Sequence, residues 1–286
     1  MLFPMYTVAA ESVLKMTSMK PHEVLKQHSE LVVFEDGMAA FVSHQWLTKG
    51  HPDPEMRQMQ VLQQAFRLIL STSGFVPLDF MTQSLVKSAR PIRFEDFQRE
   101  ALWLWYDYFS VPQLGEAYDG LDKDGQQAKA IASIPGYVAR CRHFFALCPC
   151  IASENQVLSA ASWARRGWCI LERASRELSA HDSWILIQSS TRLEVVATTF
   201  STLSVGEGDF TVEQDRLQLA PVMRQILASK LKLCANKPAY RRHLNLSSVY
   251  FRGLEVEFPS PKDAADFMQQ NGFTRVDARD ASGWCP

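Results

Sequence analysis

Three short clusters of residues combine tryptophan rings with groups that carry a charge or a proton. They are Ser43, His44 and Trp46, then Trp105 and Asp107, and then Trp168 and Glu172. Indole rings supply flat apolar walls, and a carboxylate between such walls can stabilise a developing positive charge of the kind that glycosidic cleavage produces. Apolar surroundings also raise the pKa of a carboxyl group through desolvation. The residue types therefore favour a pocket for a ligand that has both a ring and a charge.

Four continuous apolar runs predict the strands that hold these clusters. They lie near residues 38–43, 102–108, 143–148 and 184–188. Runs without polar alternation are typical of strands covered on both faces of a parallel sheet. Helical spacing of apolar residues follows the first run, from Met59 to Ile69, and the third, from Trp168 to Leu178. Strands alternating with helices predict an α/β fold with a mainly parallel sheet, helices on both faces and right-handed crossovers.

The three clusters stand at the ends of predicted strands or at the start of the helix that follows. In an open parallel sheet these positions share one edge. We therefore expect six residues to converge on one crevice there. They are Glu172 and the candidate ligand-binding residues Ser43, His44, Trp46, Asp107 and Trp168.

Each of these residues also has a purely structural interpretation. Glu172 stands four residues before Arg176, which is the spacing of an ion pair on a helix surface. Trp46 and Trp168 could be core anchors, Asp107 could cap the next turn, and His44 could be a hydrogen-bonded buried ring. Ser43 has no His–Asp pair at a recognisable spacing, so a hydrolase triad is not expected.

The order of the motifs is similar to that of heterokaryon-incompatibility (HET) domains. The chain contains Ser43-His-Gln-Trp46, then Leu104-Trp-Tyr-Asp107 with Gln113, and then Arg166-Gly-Trp-Cys-Ile-Leu-Glu172. TIR domains look similar at the same places and carry a Trp-x-x-x-Glu step whose glutamate is catalytic in the NAD-cleaving members. The resemblance extends from Ala39 to Gln188. It implies a flavodoxin-like (TIR-like) fold in which Glu172 is the catalytic residue.

The function that this resemblance implies is that of an intracellular signalling domain that cleaves NAD at the nicotinamide–ribose bond. NAD is then the substrate, and no separate cofactor is expected. Two alternatives stay open. One is a non-catalytic interaction module that uses the same fold to self-associate or to recruit partners, and the other is a nucleotide-binding sensor without turnover.

Composition excludes several other classes of protein. The chain has 286 residues and a net charge of −1, so a nucleic-acid or anionic-membrane surface is not expected to be its main partner. No apolar run approaches the length of a membrane-spanning helix. The apolar stretch at the N-terminus has no basic residues before it, which is not typical of a signal peptide. The six cysteines do not have the spacings of a disulfide framework. Cys148 and Cys150 are separated by one residue only, which is less than the spacing of paired zinc ligands. We therefore expect a cytoplasmic protein with reduced thiols and no metal.

The expected domain layout has four parts. Residues 1–30 are an N-terminal extension, 31–205 form the α/β domain, 206–270 form a helical extension packed on the core, and 271–286 resemble the start of an ankyrin repeat. Within the α/β domain, residues 31–34 predict an edge strand, and the glycine-rich stretch 114–133 predicts a mobile loop.

Overall fold

The computed structural model describes residues 1–113, 125–152, 157–181, 183–197, 204–235 and 246–254, together with residues 240, 243, 268, 275–277 and 279. A seven-stranded sheet lies at its centre. Its strands in chain order are β1 Tyr6–Ala9, β2 Val32–Val33, β3 Met38–His44, β6 Leu102–Tyr106, β7 His143–Leu147, β10 Ser183–Ile187 and β11 Leu193–Ala197. Two short ribbons pair β4 Phe75–Val76 with β5 Ile92–Arg93, and β8 Ile151–Ala152 with β9 Val157–Leu158.

The helices surround this sheet and connect its strands. They are α1 Ala10–Lys15, α2 His22–Gln27, α3 Arg57–Ser71, α4 Phe80–Leu85, α5 Asp107–Ser110, α6 Gln126–Arg140, α7 Ala160–Trp163, α8 Gly167–Glu177, α9 Gln214–Leu233 and α10 Ser247–Tyr250. Short 3₁₀ turns cover Phe94–Phe97 and Val205–Glu207. No helix in the described ranges has the length and apolarity that crossing a membrane requires.

The sheet is mostly parallel, as the four apolar runs predict. Its order is β11-β10-β7-β3-β6-β1-β2. The inner strands β10, β7, β3 and β6 run parallel, whereas β11 and β1 pair antiparallel at either side of them. The predicted mixed α/β fold with a mainly parallel central sheet is therefore confirmed.

Each inner strand is covered on both faces, which explains why its sequence shows no polar alternation. In β3, Ala40 and Val42 join the core cluster that contains α3, while Phe41 joins the cluster that contains α6 and Cys169 of α8. The ring of Phe41 stacks on Trp105 at 4.3 Å and on Phe144 at 5.3 Å, between the two neighbouring strands. Apolar side chains therefore cover both faces of the sheet at its centre, and polar residues are found at the strand ends.

Two segments differ from their sequence predictions. Residues 1–30, expected as an extension, contribute β1 to the sheet between β6 and β2. The edge strand expected at 31–34 is present as β2, which lies at one end of the sheet and pairs with β1. Helix α6 begins at Gln126, within the stretch 114–133 that was predicted as a loop. Pro135 lies inside this helix and, with the adjacent glycine, hides its apolar periodicity in the sequence.

Described residues between 205 and 254 pack on α8. Leu219 and Met223 of α9 share a core cluster with Ile170 and Leu171 of α8. The resemblance to an ankyrin repeat at 271–286 falls almost entirely outside the described residues.

Glycines allow this packing to be very close. A Cβ atom on Gly167, the first residue of α8, would lie 2.0 Å from the ring of Phe210, and one on Gly208 would lie 2.5 Å from the Cα of Gly167. A Cβ atom on Gly206 would lie 2.3 Å from the carbonyl carbon of Gly253. The beginning of α8 is therefore held by backbone and ring contacts that no larger residue permits.

Candidate functional site at the carboxyl edge of the sheet

The candidate site lies where the direction of chain winding reverses. From β3 the chain first moves to β6 on one side and then crosses back to β7 on the other side. In open α/β sheets, ligands bind in the crevice outside the carboxyl ends of the strands at such a switch point. Here that edge contains Ser43 and His44 at the end of β3 and Asp107 directly after β6.

The carboxylate of Asp107 holds two neighbouring side chains. Nε2 of His44 lies 2.7 Å from Oδ1, and the indole Nε1–H of Trp46 donates to Oδ2 at 2.7 Å. The backbone N–H of Tyr108 also donates to Oδ1, at 2.6 Å. The ring of His44 stacks on Tyr106 at 3.9 Å, and its Nδ1 lies 3.1 Å from the hydroxyl of that tyrosine. These bonds fix His44, Trp46 and Asp107 as one rigid group.

This group keeps Asp107 ionised. Burial would raise the pKa of Asp107, but the charge of His44 and the hydrogen bonds from His44, Trp46 and the backbone of Tyr108 outweigh burial and lower the pKa. The Asp107 side chain is nevertheless 31% exposed, whereas His44 is 2% exposed. Asp107 is therefore the member of the group that presents a negative charge to the crevice.

Ser43 lies on the other face of the sheet from His44. It is completely buried, and its Oγ accepts a hydrogen bond from Nε1–H of Trp163 at 2.9 Å. Glu172, in the second turn of α8, is close enough to Ser43 for a hydrogen bond that acts on the glutamate pKa. Ser43 is therefore near Glu172 but is itself fully buried.

Glu172 is buried, with 8% of its surface exposed. The pKa of Glu172 is raised from 4.5 to about 8. Desolvation is the main cause, the Ser43 hydroxyl opposes it, and the negative charge of Asp107 adds to it. Strong desolvation of a carboxyl group at a sheet edge is typical of functional sites.

Glu172 and Arg176 do not form the surface ion pair that their spacing in the sequence allows. Arg176 is itself buried, and its guanidinium donates to backbone carbonyls at the start of β7 and of β10. The bonds are Nη1 to Cys141 at 2.9 Å, Nη2 to Arg142 at 2.9 Å and Nε to Ser183 at 2.7 Å. Glu172 thus faces the sheet and not the solvent.

Trp168 occupies a different position from the other predicted site residues. Its Nε1–H donates to Oδ2 of Asp215 in α9 at 3.0 Å, and its ring packs partly against the α9 cluster. Trp168 therefore joins α8 to α9, whereas Trp46 stands beside Asp107. The structure brings His44, Trp46 and Asp107 into direct contact and places Ser43 near Glu172.

The two carboxyl groups of the site have pKa values shifted in opposite directions. Asp107 is ionised at neutral pH, and most of Glu172 is protonated in the free protein. Such pairs mark acid and base roles in enzymes that break glycosidic bonds. Among the described residues, no three His, Cys, Asp or Glu side chains are grouped so that they could hold a metal ion.

Sequence reasoning missed Trp163, Tyr106 and Tyr108 as parts of this site. The first fixes Ser43, the second stacks on His44, and the third meets Trp46 edge to face at 5.9 Å. Tyr106 and Tyr108 flank Asp107 in sequence and could have been included on that ground, whereas nothing in the sequence links residue 163 to residue 43.

No protein-family model, no curated protein and no solved structure matches the chain.

Proposed function

We propose that the chain is a signalling domain that cleaves NAD at the nicotinamide–ribose bond, with Glu172 as the catalytic carboxyl group. The observation that carries the proposal is the desolvated Glu172 at the carboxyl edge of the sheet, beside an ionised Asp107. Cleavage of this bond leaves a ribosyl cation, and a nearby carboxylate stabilises that cation. Trp46 and Asp107 form the wall of the crevice that faces the nucleotide.

The order of the parallel strands supports a flavodoxin-like, TIR-like fold in this proposal. Numbered by their appearance in the chain, β3, β6, β7 and β10 take the spatial order 2-1-3-4. Flavodoxin-like sheets have the order 2-1-3-4-5 and bind their nucleotide at the same switch point. The fifth place is taken here by the antiparallel β11.

The direct test of the function is incubation with NAD and detection of free nicotinamide, both with dilute protein and with protein clustered on a scaffold.

The rate of cleavage should rise with pH. Glu172 must be ionised to stabilise a cation, and its pKa in the free protein is about 8. We expect kcat/KM for nicotinamide release to increase about tenfold per pH unit below this pKa and to level off above it. The measurement is initial rates between about pH 6 and 9 at constant ionic strength. A rate that falls over this range would mean that Glu172 works as a proton donor and would contradict the proposed role.

A group of exposed apolar side chains favours the second candidate, a non-catalytic interaction module. The side chains lie on β4 and α4 and are Phe75, Phe80, Met81 and Leu85, each more than half exposed. Large apolar residues grouped at the surface are typical of protein-interaction sites. In this candidate function the chain associates with itself or with a partner through α4, and the crevice plays no catalytic part.

Replacement of Phe80 by glutamate should separate the two candidates. Phe80 is 79% exposed, so its change leaves the fold intact and places a charge in the apolar group. If α4 mediates self-association, the dissociation constant in sedimentation experiments should increase at least about tenfold, which corresponds to the loss of one well-packed contact residue. Leu217→Glu, which alters a residue of α9 that is 61% exposed, is the matched control and should leave association unchanged. Equal behaviour of the two variants would exclude α4 as an association surface.

A further inference from the structure

A tight turn at residues 48–51 follows β3 and is held in one conformation by its own hydrogen bonds. The N–H of Thr48 donates to the carbonyl of His51 at 3.2 Å, and the N–H of His51 donates to Oγ1 of Thr48 at 3.0 Å. The hydroxyl of Thr48 in turn donates to the carbonyl of His51 at 2.8 Å. Lys49 and Gly50 at the tip are exposed, and a Cβ atom on Gly50 would meet nothing within 4 Å. The 48–51 turn is therefore rigid and has open space at its tip.

One ring nitrogen of His51 is used within this part of the chain, and the other is not. The backbone N–H of Asp53 donates to Nδ1 at 3.0 Å, so the neutral ring carries its hydrogen on Nε2. The ring is partly exposed, and among the described residues Nε2 has no hydrogen-bond partner. His51 therefore offers an N–H donor to a ligand.

Three aromatic rings in a row connect the 48–51 turn to Asp107. The ring of His51 lies 4.8 Å from that of Tyr108. The ring of Tyr108 lies 5.9 Å from that of Trp46, whose indole donates to the carboxylate of Asp107 at 2.7 Å. The row thus has a negative charge at one end, and at its other end it has the donor of His51 beside the ammonium group of Lys49.

The acids close to the turn in sequence do not neutralise this positive end. Asp53 is completely buried, and its carboxylate oxygens accept from the N–H groups of Arg57 and Met59 in the first turn of α3, each at 2.8 Å. The exposed Glu55 pairs with Arg57 at 3.3 Å. Lys49 forms no ion pair with any residue that the structure describes, so its charge is available to a ligand.

We propose that the 48–51 turn binds the phosphate groups of a dinucleotide, with Nε2–H of His51 and the ammonium group of Lys49 as the ligands. Charged and neutral N–H donors of this kind are the usual ligands of phosphate oxygens in proteins. NAD has a cationic nicotinamide ring and, further along the molecule, two anionic phosphates. These charges are complementary to Asp107 at one end of the row and to the turn at the other. The choice of NAD rests on the proposed function, whereas the phosphate site at the turn does not.

The test is calorimetric titration of ADP-ribose, the part of NAD that keeps both phosphates and lacks nicotinamide, into the full chain and its variants. Lys49→Met keeps the length of the side chain and removes its charge. His51→Asn supplies an oxygen that accepts from the N–H of Asp53 and removes the donor at Nε2. Each variant should bind ADP-ribose at least about tenfold more weakly than the wild type, the usual effect of losing one hydrogen bond to a charged group.

Lys87→Met is the matched control. Lys87 is exposed like Lys49, but it follows α4, which lies against β11 at one end of the sheet. This change should leave the affinity for ADP-ribose unchanged. Nicotinamide riboside, which has no phosphate, should bind equally to the wild type and to both variants of the turn.

Four outcomes would overturn the proposal. They are a wild-type chain that does not bind ADP-ribose, an unchanged affinity in Lys49→Met or His51→Asn, an equal loss in Lys87→Met, and an equal loss of nicotinamide riboside binding in the variants of the turn. The last would mean that these residues maintain the shape of the crevice without contacting phosphate. A wild-type chain that binds ADP-ribose through the turn but releases no nicotinamide from NAD would overturn the proposed function alone.

Discussion

Glu172→Gln is expected to abolish nicotinamide release and at the same time to stabilise the protein. Glutamine keeps the shape of the side chain, but it has no charge with which to stabilise a cationic transition state. Loss of one such electrostatic interaction lowers the rate by on the order of 10²–10³. The assay is nicotinamide release at pH 8, where the wild-type carboxyl group is substantially ionised.

The gain in stability follows from the raised pKa of Glu172. In the unfolded chain the residue ionises near its ordinary value of 4.5, whereas in the folded chain it keeps its proton up to about pH 8. Between pH 4.5 and pH 8 the chain therefore takes up a proton when it folds. As a result, the free energy of unfolding of the wild type falls as pH rises from about 4.5 to 8. Glutamine avoids this loss, so the variant should be more stable by on the order of 2–3 kcal/mol at pH 7 and no more stable at pH 4.

Glu95→Gln provides the control, because Glu95 is exposed on a 3₁₀ turn away from the crevice. Denaturant unfolding of both variants at pH 4 and pH 7 should show a pH-dependent difference only for residue 172. A Glu172→Gln variant that is less stable at pH 7 would mean that the carboxyl group is ionised and paired in the folded protein. Full activity in that variant would exclude Glu172 from catalysis.

Arg176→Met is expected to cause a large loss of stability. Its guanidinium donates to three backbone carbonyls, two directly before β7 and one at the start of β10, and the residue is 3% exposed. Methionine fills much of the volume but leaves those buried acceptors without donors. Each unsatisfied acceptor costs about 1–3 kcal/mol, so we expect a loss of about 3–5 kcal/mol. This is a large fraction of the 5–15 kcal/mol that usually holds a domain together.

The matched control is Arg67→Met. Arg67 also donates to a backbone carbonyl, that of Leu14 at 2.9 Å, but it does so at the exposed surface of α3. Water can replace that bond, and the change should stay within about 0.5 kcal/mol. Urea unfolding of the two variants gives the comparison. Similar small losses at both positions would show that water reaches the carbonyls around Arg176.

The sequence predicted the parts of this molecule that depend on local composition. The four inner strands are continuous apolar runs because each is buried on both faces, and the run that contains Phe41 is an example. The closeness of His44 to Asp107 follows from neighbouring strand ends in one sheet, and the 2.7 Å bond between them agrees with that reasoning. These expectations needed only the periodicity of strands and the geometry of a parallel sheet.

Features that depend on contacts between distant segments could not be predicted. β1 is four residues long and has no distinctive pattern, and its place beside β6 depends on the pairing of Val8 with Leu104. The bond between Trp163 and Ser43 joins residues 120 positions apart. Trp168 resembled a wall of the crevice by its position in a motif, whereas Asp215, which binds it, lies in a helix that only the tertiary structure brings close.

The glycine contacts at the start of α8 have a consequence for how this chain can be shortened. A fragment that ended before residue 204 would uncover the apolar side of α8 that Leu219 and Met223 now cover, and it would lose the Phe210 ring that rests on Gly167. That helix carries Glu172 on its opposite side, so its first turn would lose support close to the carboxyl group. A fragment designed to keep the crevice intact should therefore extend through residue 254, where the backbone beside Gly253 meets Gly206.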